Sequence, residues 1–315
     1  NHPLLIRLGL FLRDEFASVL STERIHEPTT YLFVRLSMLK WLSQYSWLSE
    51  HHQLLNICIQ ALDYFTEKKD FGKLAAFSFT QKKGIQLLLL KKYDDALIEF
   101  NKCLDFKPNP GSTSWHFINS YLFSTYLLSK NYFTAYKIVS YVLNHKSHRN
   151  FTERHEQSWH LKEAFIHFLI KSGKIDIHQE NVKSLRSFKL SRFLNEVPEI
   201  SKDKRGYNIT INIIQMLFLI VDKKYDKVLD KLSSLKQYNF RYLKRPEYSR
   251  SSNFIKMLLK IPEGDYNIDK VQKKADKYYK KLLLTPQDFS DQSLNIEIIP
   301  YEELWRVLLD ILDWK

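Results

Sequence analysis

The sequence predicts an all-α protein, and three observations carry that prediction. The 315 residues include only 7 Gly and 9 Pro, few for a chain that must make the tight turns of a sheet. Apolar residues recur at helical spacing, as in Leu74, Phe77, Ile85, Leu88 and Leu89. Helix-stopping and helix-starting signals alternate at short intervals, as in "KKYDDALIEFNKCLDFKPNP" at 91–110.

Taken in order, residues 2 to 70 predict about three amphipathic helices, broken near "HEPTT" and around Trp47-Leu48-Ser49. A helix over 74–90 ends on Lys91-Lys92, where cations suit the helix dipole. The next opens at Tyr93 with Asp94-Asp95, where anions suit it, and carries Ala96, Leu97, Phe100, Cys103 and Leu104. Pro108 closes the pair, because Pro cannot continue a helix. "NSYLFSTYLLSKNYFTAYKIVSYVLNH" repeats the layout with Tyr132, Ala135, Val139 and Val142. "QSWHLKEAFIHFLIKSGKID" reads as a further helix with Trp159, Ala164 and a Gly173 stop. "INIIQMLFLIVDKKYDKVLDKLSSLKQY" repeats the design again, with Val228 and Leu232 in the Ala and Phe places. "RSSNFIKMLLKIP" predicts a helix ended by Pro262, and "IDKVQKKADKYYKKLLL" one with a broad basic face. Pro300 opens a last helix with an apolar stripe of Leu304, Trp305, Leu308, Leu309 and Leu312, expected to cap the stack.

Gly84, Ala96, Phe100 and Pro108 resemble the tetratricopeptide repeat: Gly in a first helix, Ala-x-x-x-Phe in a second, Pro at the end. The match is partial, with Thr80 in the place of the family's Trp and Lys83 in that of its Leu. The resemblance implies an irregular, tetratricopeptide-like right-handed α-solenoid of antiparallel helix pairs. A looser resemblance, from "FLNEVPEISKDKRGYN" to "IEIIPYEELW", is to uncharacterised helical proteins of Bacteroidetes. It implies a bacterial source and brings no activity.

The loop "NEVPEISKDKRGYN" at 195–208 is the best hinge candidate. The expected organisation is an N-terminal helical-repeat half, 1–179, and a basic C-terminal half, 180–315, with the last helix as cap, or one continuous solenoid. The net charge is +13, and it is uneven: residues 180–290 carry 24 Lys and Arg against 13 Asp and Glu, whereas 291–315 carry 2 against 6. A basic field attracts acidic protein, nucleic acid or phosphate, although Lys-rich helix faces are commonly only solvated surface. Within it, "QYNFRYLKRPEYSRSSNFIK" interleaves aromatic and basic residues. Arg241, Lys244, Arg245, Tyr248, Arg250, Asn253 and Lys256, facing Lys202, Lys204 and Arg205, form the predicted anion- and partner-binding surface. Arg forks suit carboxylate and phosphate, Lys adds point charge, and Tyr and Asn complete hydrogen bonds.

Other chemistries have little support. Cys58 and Cys103 sit inside amphipathic patterns and read as buried apolar residues of a reducing, cytoplasmic setting. No stretch reaches 18 uncharged apolar residues, so no membrane insertion is expected. His160, Glu163 and His167 share a helix face, but 160 and 167 stand about 10.5 Å apart along it, too far for one zinc. There is no phosphate-cradling Gly loop, no Gly-x-Ser-x-Gly and no kinase signature. The reading is a non-enzymatic scaffold or adaptor with no catalytic residues, metal or cofactor, holding an acidic protein or peptide in a helical-repeat groove. The alternatives are a ligand-responsive regulator of the bacterial peptide-receptor type and a nucleic-acid-binding protein acting through the basic half. The chain starts at Asn1, which suits an upstream domain of such a regulator.

Overall fold

A computed structural model describes residues 51–67, 73–177, 185–197, 207–285, 287 and 297–313. The helices expected over 2 to 50 lie outside the described residues, as do Lys202, Lys204 and Arg205. The regular secondary structure of the described residues is all helical, with no strand among them. The chain divides into two compact units, Asn1–Thr125 and Tyr126–Lys315.

In the first unit, α1 (His51–Glu67) precedes α2 (Lys73–Leu89), α3 (Tyr93–Asp105) and all but the last three residues of α4 (Thr113–Leu128). Helices α2 and α3 pack as a hairpin. Ala96, Phe100 and Cys103 are fully buried, and Gly84 explains how closely the helices meet. A Cβ on Gly84 would lie 2.6 Å from Phe100 Cε1, so only hydrogen fits beneath the ring. The far face of Phe100 stacks on Tyr121, centroids 5.2 Å apart and planes 7° from parallel. Lys83 reaches across the hairpin to the buried Glu99 at 3.0 Å, so the cation there is paired.

In the second unit, α5 (Tyr132–Asn144) and a 3₁₀ turn, Lys146–Asn150, lead to α6 (Glu153–Lys171). Then come α7 (Leu190–Glu196), α8 (Tyr207–Val221) and α9 (Tyr225–Tyr242). A 3₁₀ turn, Pro246–Tyr248, opens α10 (Ser249–Glu263), followed by α11 (Ile268–Leu283) and α12 (Tyr301–Asp313). Helices α6, α8 and α10 form its core, for each buries residues on nearly every side. Phe168 of α6 meets Phe218 of α8 edge to face at 6.3 Å. Packing of α6 on α8 runs across residue 180.

The turns repeat. Lys91, Lys130 and Lys223 each hold a left-handed backbone, φ 60°, 64° and 53°. Each stands two residues before the Tyr that begins the next helix. Each donates to the carbonyl three residues back, and the residue after it donates to the one five back: Lys92 to Leu87, Asn131 to Tyr126, Lys224 to Leu219. This double bond pattern caps the last carbonyls of a helix. Gly173, at φ 69°, closes α6 in the same way, with Lys174 donating to Leu169. Asn131, Thr152 and Asn267 cap the starts of α5, α6 and α11 by accepting from Thr134, His155 and Lys270 N–H groups.

Two expectations shift by small amounts. Pro262 lies inside the last turn of α10, and Gly264 caps it. A Cβ at Gly264 would come within 2.6 Å of Val271 Cγ2 and 2.9 Å of its nitrogen, so the α10–α11 hairpin closes on a bare backbone. Pro300 precedes α12 rather than opening it, and its carbonyl accepts from Glu303 and Leu304. Helix α12 buries Tyr301, Leu304, Trp305 and Leu308 inside the second unit. No described helix is long and apolar enough to cross a membrane.

Candidate functional site

The predicted surface separates into three environments. Arg241 ends α9, and Lys244 and Arg245 follow in the link to the Pro246 turn; all three are exposed. Phe240, 69% exposed, lies among them, with Lys244 Nζ 3.9 Å from its ring centroid. An exposed aromatic ring under an ammonium, with two exposed arginines close by in the sequence, is a ready contact for a partner's carboxylate and apolar side chains. Among the described residues neither Arg241 nor Lys244 has a carboxylate within ion-pair distance. Tyr248 is half-buried in the turn below.

Arg250 and Asn253 do not belong to that surface. Asn253 is buried and its side chain donates to Ser249 Oγ. Arg250 is only 7% exposed, and all five of its N–H donors are engaged. Nε donates to Glu297 Oε2 at 2.8 Å and one terminal nitrogen to Glu297 Oε1 at 2.6 Å. That same nitrogen reaches Glu302, and the other meets the carbonyls of Leu282 at 3.1 Å and Thr285 at 2.6 Å. The first turn of α10 thus anchors the end of α11 and the start of α12. Burial works against the guanidinium charge, but Glu297 and Glu302 outweigh it and hold Arg250 charged. Burial also pushes the Glu297 carboxyl up, against the hydrogen bonds of Arg250 and of Tyr301 N–H at 2.8 Å. Tyr301 stacks on Phe254, centroids 4.5 Å apart, and its hydroxyl meets Ser251 Oγ at 3.0 Å. The correction is therefore that Arg250 has internal anions for partners. The excess acid of the last 25 residues was the signal, since Glu297 and Glu302 come from it.

Lys256 takes the third environment. It is half-buried on α10, its Nζ 5.9 Å from the Tyr278 ring of α11. Burial and then the neighbouring Lys281 ammonium lower its pKa.

A second polar cluster lies on α6. His160 Nδ1 is 3.2 Å from Glu163 Oε2, and His167 Nε2 is 4.0 Å from the other oxygen. Arg186, from the segment before α7, grips both Glu163 oxygens at 3.1 and 3.0 Å and also binds Glu196 at 2.6 Å. Burial would raise the Glu163 carboxyl, but hydrogen bonds from His160 and Arg186, with the Arg186 charge, hold it down at about 2. Burial lowers the pKa of His148 and of His167, whose Nε2 atoms are buried without hydrogen-bond partners. The i, i+3 and i+7 spacing was legible, whereas Arg186 carried no local signal. Lys162 is also buried, with Nζ 2.7 Å from Ser158 Oγ, and burial brings it down to about 7. Cys58 and Cys103 are buried, which pushes both thiols up to about 12. They are protonated and inert at neutral pH.

No protein-family model matches this chain, and no significant match is found among curated proteins or solved structures.

Proposed function

We propose that the chain is a non-enzymatic adaptor, acting in the cytoplasm, that holds an acidic segment of a partner protein. On this reading it is an irregular right-handed α-solenoid of the tetratricopeptide type. The observation that carries it is the recurring turn at Lys91, Lys130 and Lys223, which joins successive helices by one hydrogen-bond pattern. Repeated helix–turn–helix units present long surfaces on which extended peptides or partner helices lie. Arg241, Lys244 and Arg245, with the exposed Phe240 under the Lys244 ammonium, are the contact proposed for the acidic segment.

The test is a nuclease-treated pull-down with the tagged chain and with an Arg241→Glu, Lys244→Glu, Arg245→Glu triple variant. An acidic protein recovered by the first and lost by the second, at equal helicity by circular dichroism, is the expected result. Recovery of the same proteins by both overturns the assigned surface, and recovery of none overturns the adaptor reading.

A further inference from the structure

Helix α11 segregates its charges. Val271, Ala275 and Leu282 are buried and define its inner side. Lys270, Lys274, Lys277 and Lys281 follow one another at four, three and four residues, so they fall within one sector about 60° wide and form a row about 16 Å long. All four are exposed. Asp269 and Asp276, with Lys273 and Lys280, fall on the opposite flank, and Lys280 pairs there with Asp276 at 2.8 Å.

The row is underneutralised. Lys270 meets Asp265 at 3.1 Å, both side chains well exposed, so that pair contributes little. Lys274 donates to the Glu263 carbonyl, which carries no charge. Lys277 and Lys281 have no carboxylate partner among the described residues. Lys256 of α10 adds a fifth ammonium near Lys281; burial first, and then the Lys281 charge, lowers its pKa. Tyr278 stands at the edge of the row, below Lys256.

A line of point charges calls for a partner with anions in a line. Ammonium groups lack the planar fork that favours carboxylates, and they bind phosphate well as point charges. An aromatic ring beside a cationic track is the arrangement that holds unpaired bases. Val271, Ala275 and Leu282 are buried in the fold, so α11 has no apolar face along its length to lay in a lipid interface, and only Leu283 and Leu284 at its end are exposed. We propose that Lys256, Lys270, Lys274, Lys277 and Lys281 bind the phosphodiester backbone of a single-stranded nucleic acid, with Tyr278 stacking on one base. This goes beyond the adaptor reading and uses different residues.

The experiment is fluorescence anisotropy of the full chain with a labelled oligothymidylate of about 20 nucleotides, from about 50 to 200 mM salt. Each neutralised phosphate contributes about −0.7 to the slope of log affinity against log salt, so five lysines give an expected slope of about −3.5. A Lys274→Gln, Lys277→Gln, Lys281→Gln variant should bring the slope about two units nearer zero and weaken low-salt binding at least about ten-fold. A Lys273→Gln, Lys280→Gln variant, altered only on the acid-bearing flank, should bind like the wild type. Tyr278→Leu should weaken binding about ten-fold with the slope unchanged, a loss that altered charge would not produce. All five Lys→Gln positions are exposed, so the helical spectrum is expected to hold. Equal binding by the triple variant overturns the proposal, as does equal loss in the flank variant. Failure of the wild type to bind the oligonucleotide, with binding to polyglutamate or to anionic vesicles instead, overturns it as well.

Discussion

Arg250 shows how far one residue's role depends on its surroundings. Its type and its neighbours, Tyr248 and Arg245, suggest a solvent-facing anion contact. The fold instead presents two carboxylates and two helix-end carbonyls to it, out of water. Removing one member of a buried pair leaves the other charge uncompensated, at a cost of about 3–5 kcal/mol. Arg250→Ala should therefore lower stability by about that amount in urea unfolding, whereas Arg241→Ala on the exposed surface should change it by less than about 0.5 kcal/mol. The α6 cluster makes a second prediction, in pH. Glu163 titrates far below its ordinary value when folded, so the stability it provides is present above that value and is lost as pH falls through its folded pKa of about 2. The difference amounts to about 3 kcal/mol. His148 and His167 have lowered values when folded, so they destabilise the fold progressively as pH falls below about 6.5. Melting temperature should decline below that pH and keep declining into strong acid. Glu163→Gln should flatten the part below about pH 4.5, and an unchanged profile in that variant would refute the assignment.

At the scale of elements, the α2–α3 hairpin was the most legible part of the chain. Gly84, Ala96 and Phe100 are a packing requirement written in residue sizes, and Phe100 does lie against Gly84. Gly84→Ala would drive a methyl into that ring and should cost about 1–3 kcal/mol, with Phe100→Leu in the same chain recovering part of the loss. No recovery would mean that the strain lies elsewhere. The turns were legible only in outline. Tyr-x-x-Ala recurs visibly, but a left-handed Lys leaves no mark, because the usual residue at that position is Gly. Side chains are strained there, so Lys91→Gly and Lys223→Gly should each raise stability by about 0.5–1 kcal/mol. The Arg250 and Arg186 networks were illegible for a different reason. Their partners are 47 and 23 residues away, and no local spacing reports a contact at that range.

Over the whole molecule, the +13 charge is partly answered from within. Helix α12 supplies Glu302 to Arg250, Glu303 to Lys130 at 3.2 Å and Asp310 to Lys174 at 2.6 Å. The surplus on α11 is not answered in this way among the described residues, and its lysines repel one another. Added salt screens such repulsion, so melting temperature should rise between about 20 and 300 mM salt. The rise should shrink in the Lys274→Gln, Lys277→Gln, Lys281→Gln variant, and an equal rise in both would place the repulsion elsewhere. Charge bias along the chain was plain from composition, but its sorting onto one flank of α11 emerges only once the buried side of that helix is known. The recurring turn has a consequence for solvent exchange. Amides in the links between helices ordinarily trade their hydrogens for deuterium first. Here the N–H groups of Lys92, Asn131, Lys174 and Lys224 are each tied to a carbonyl five residues back in the preceding helix. Four link positions should then hold their protons as long as the helix ends that receive them, leaving islands of slow deuteration where a map of such a chain would be expected to show gaps.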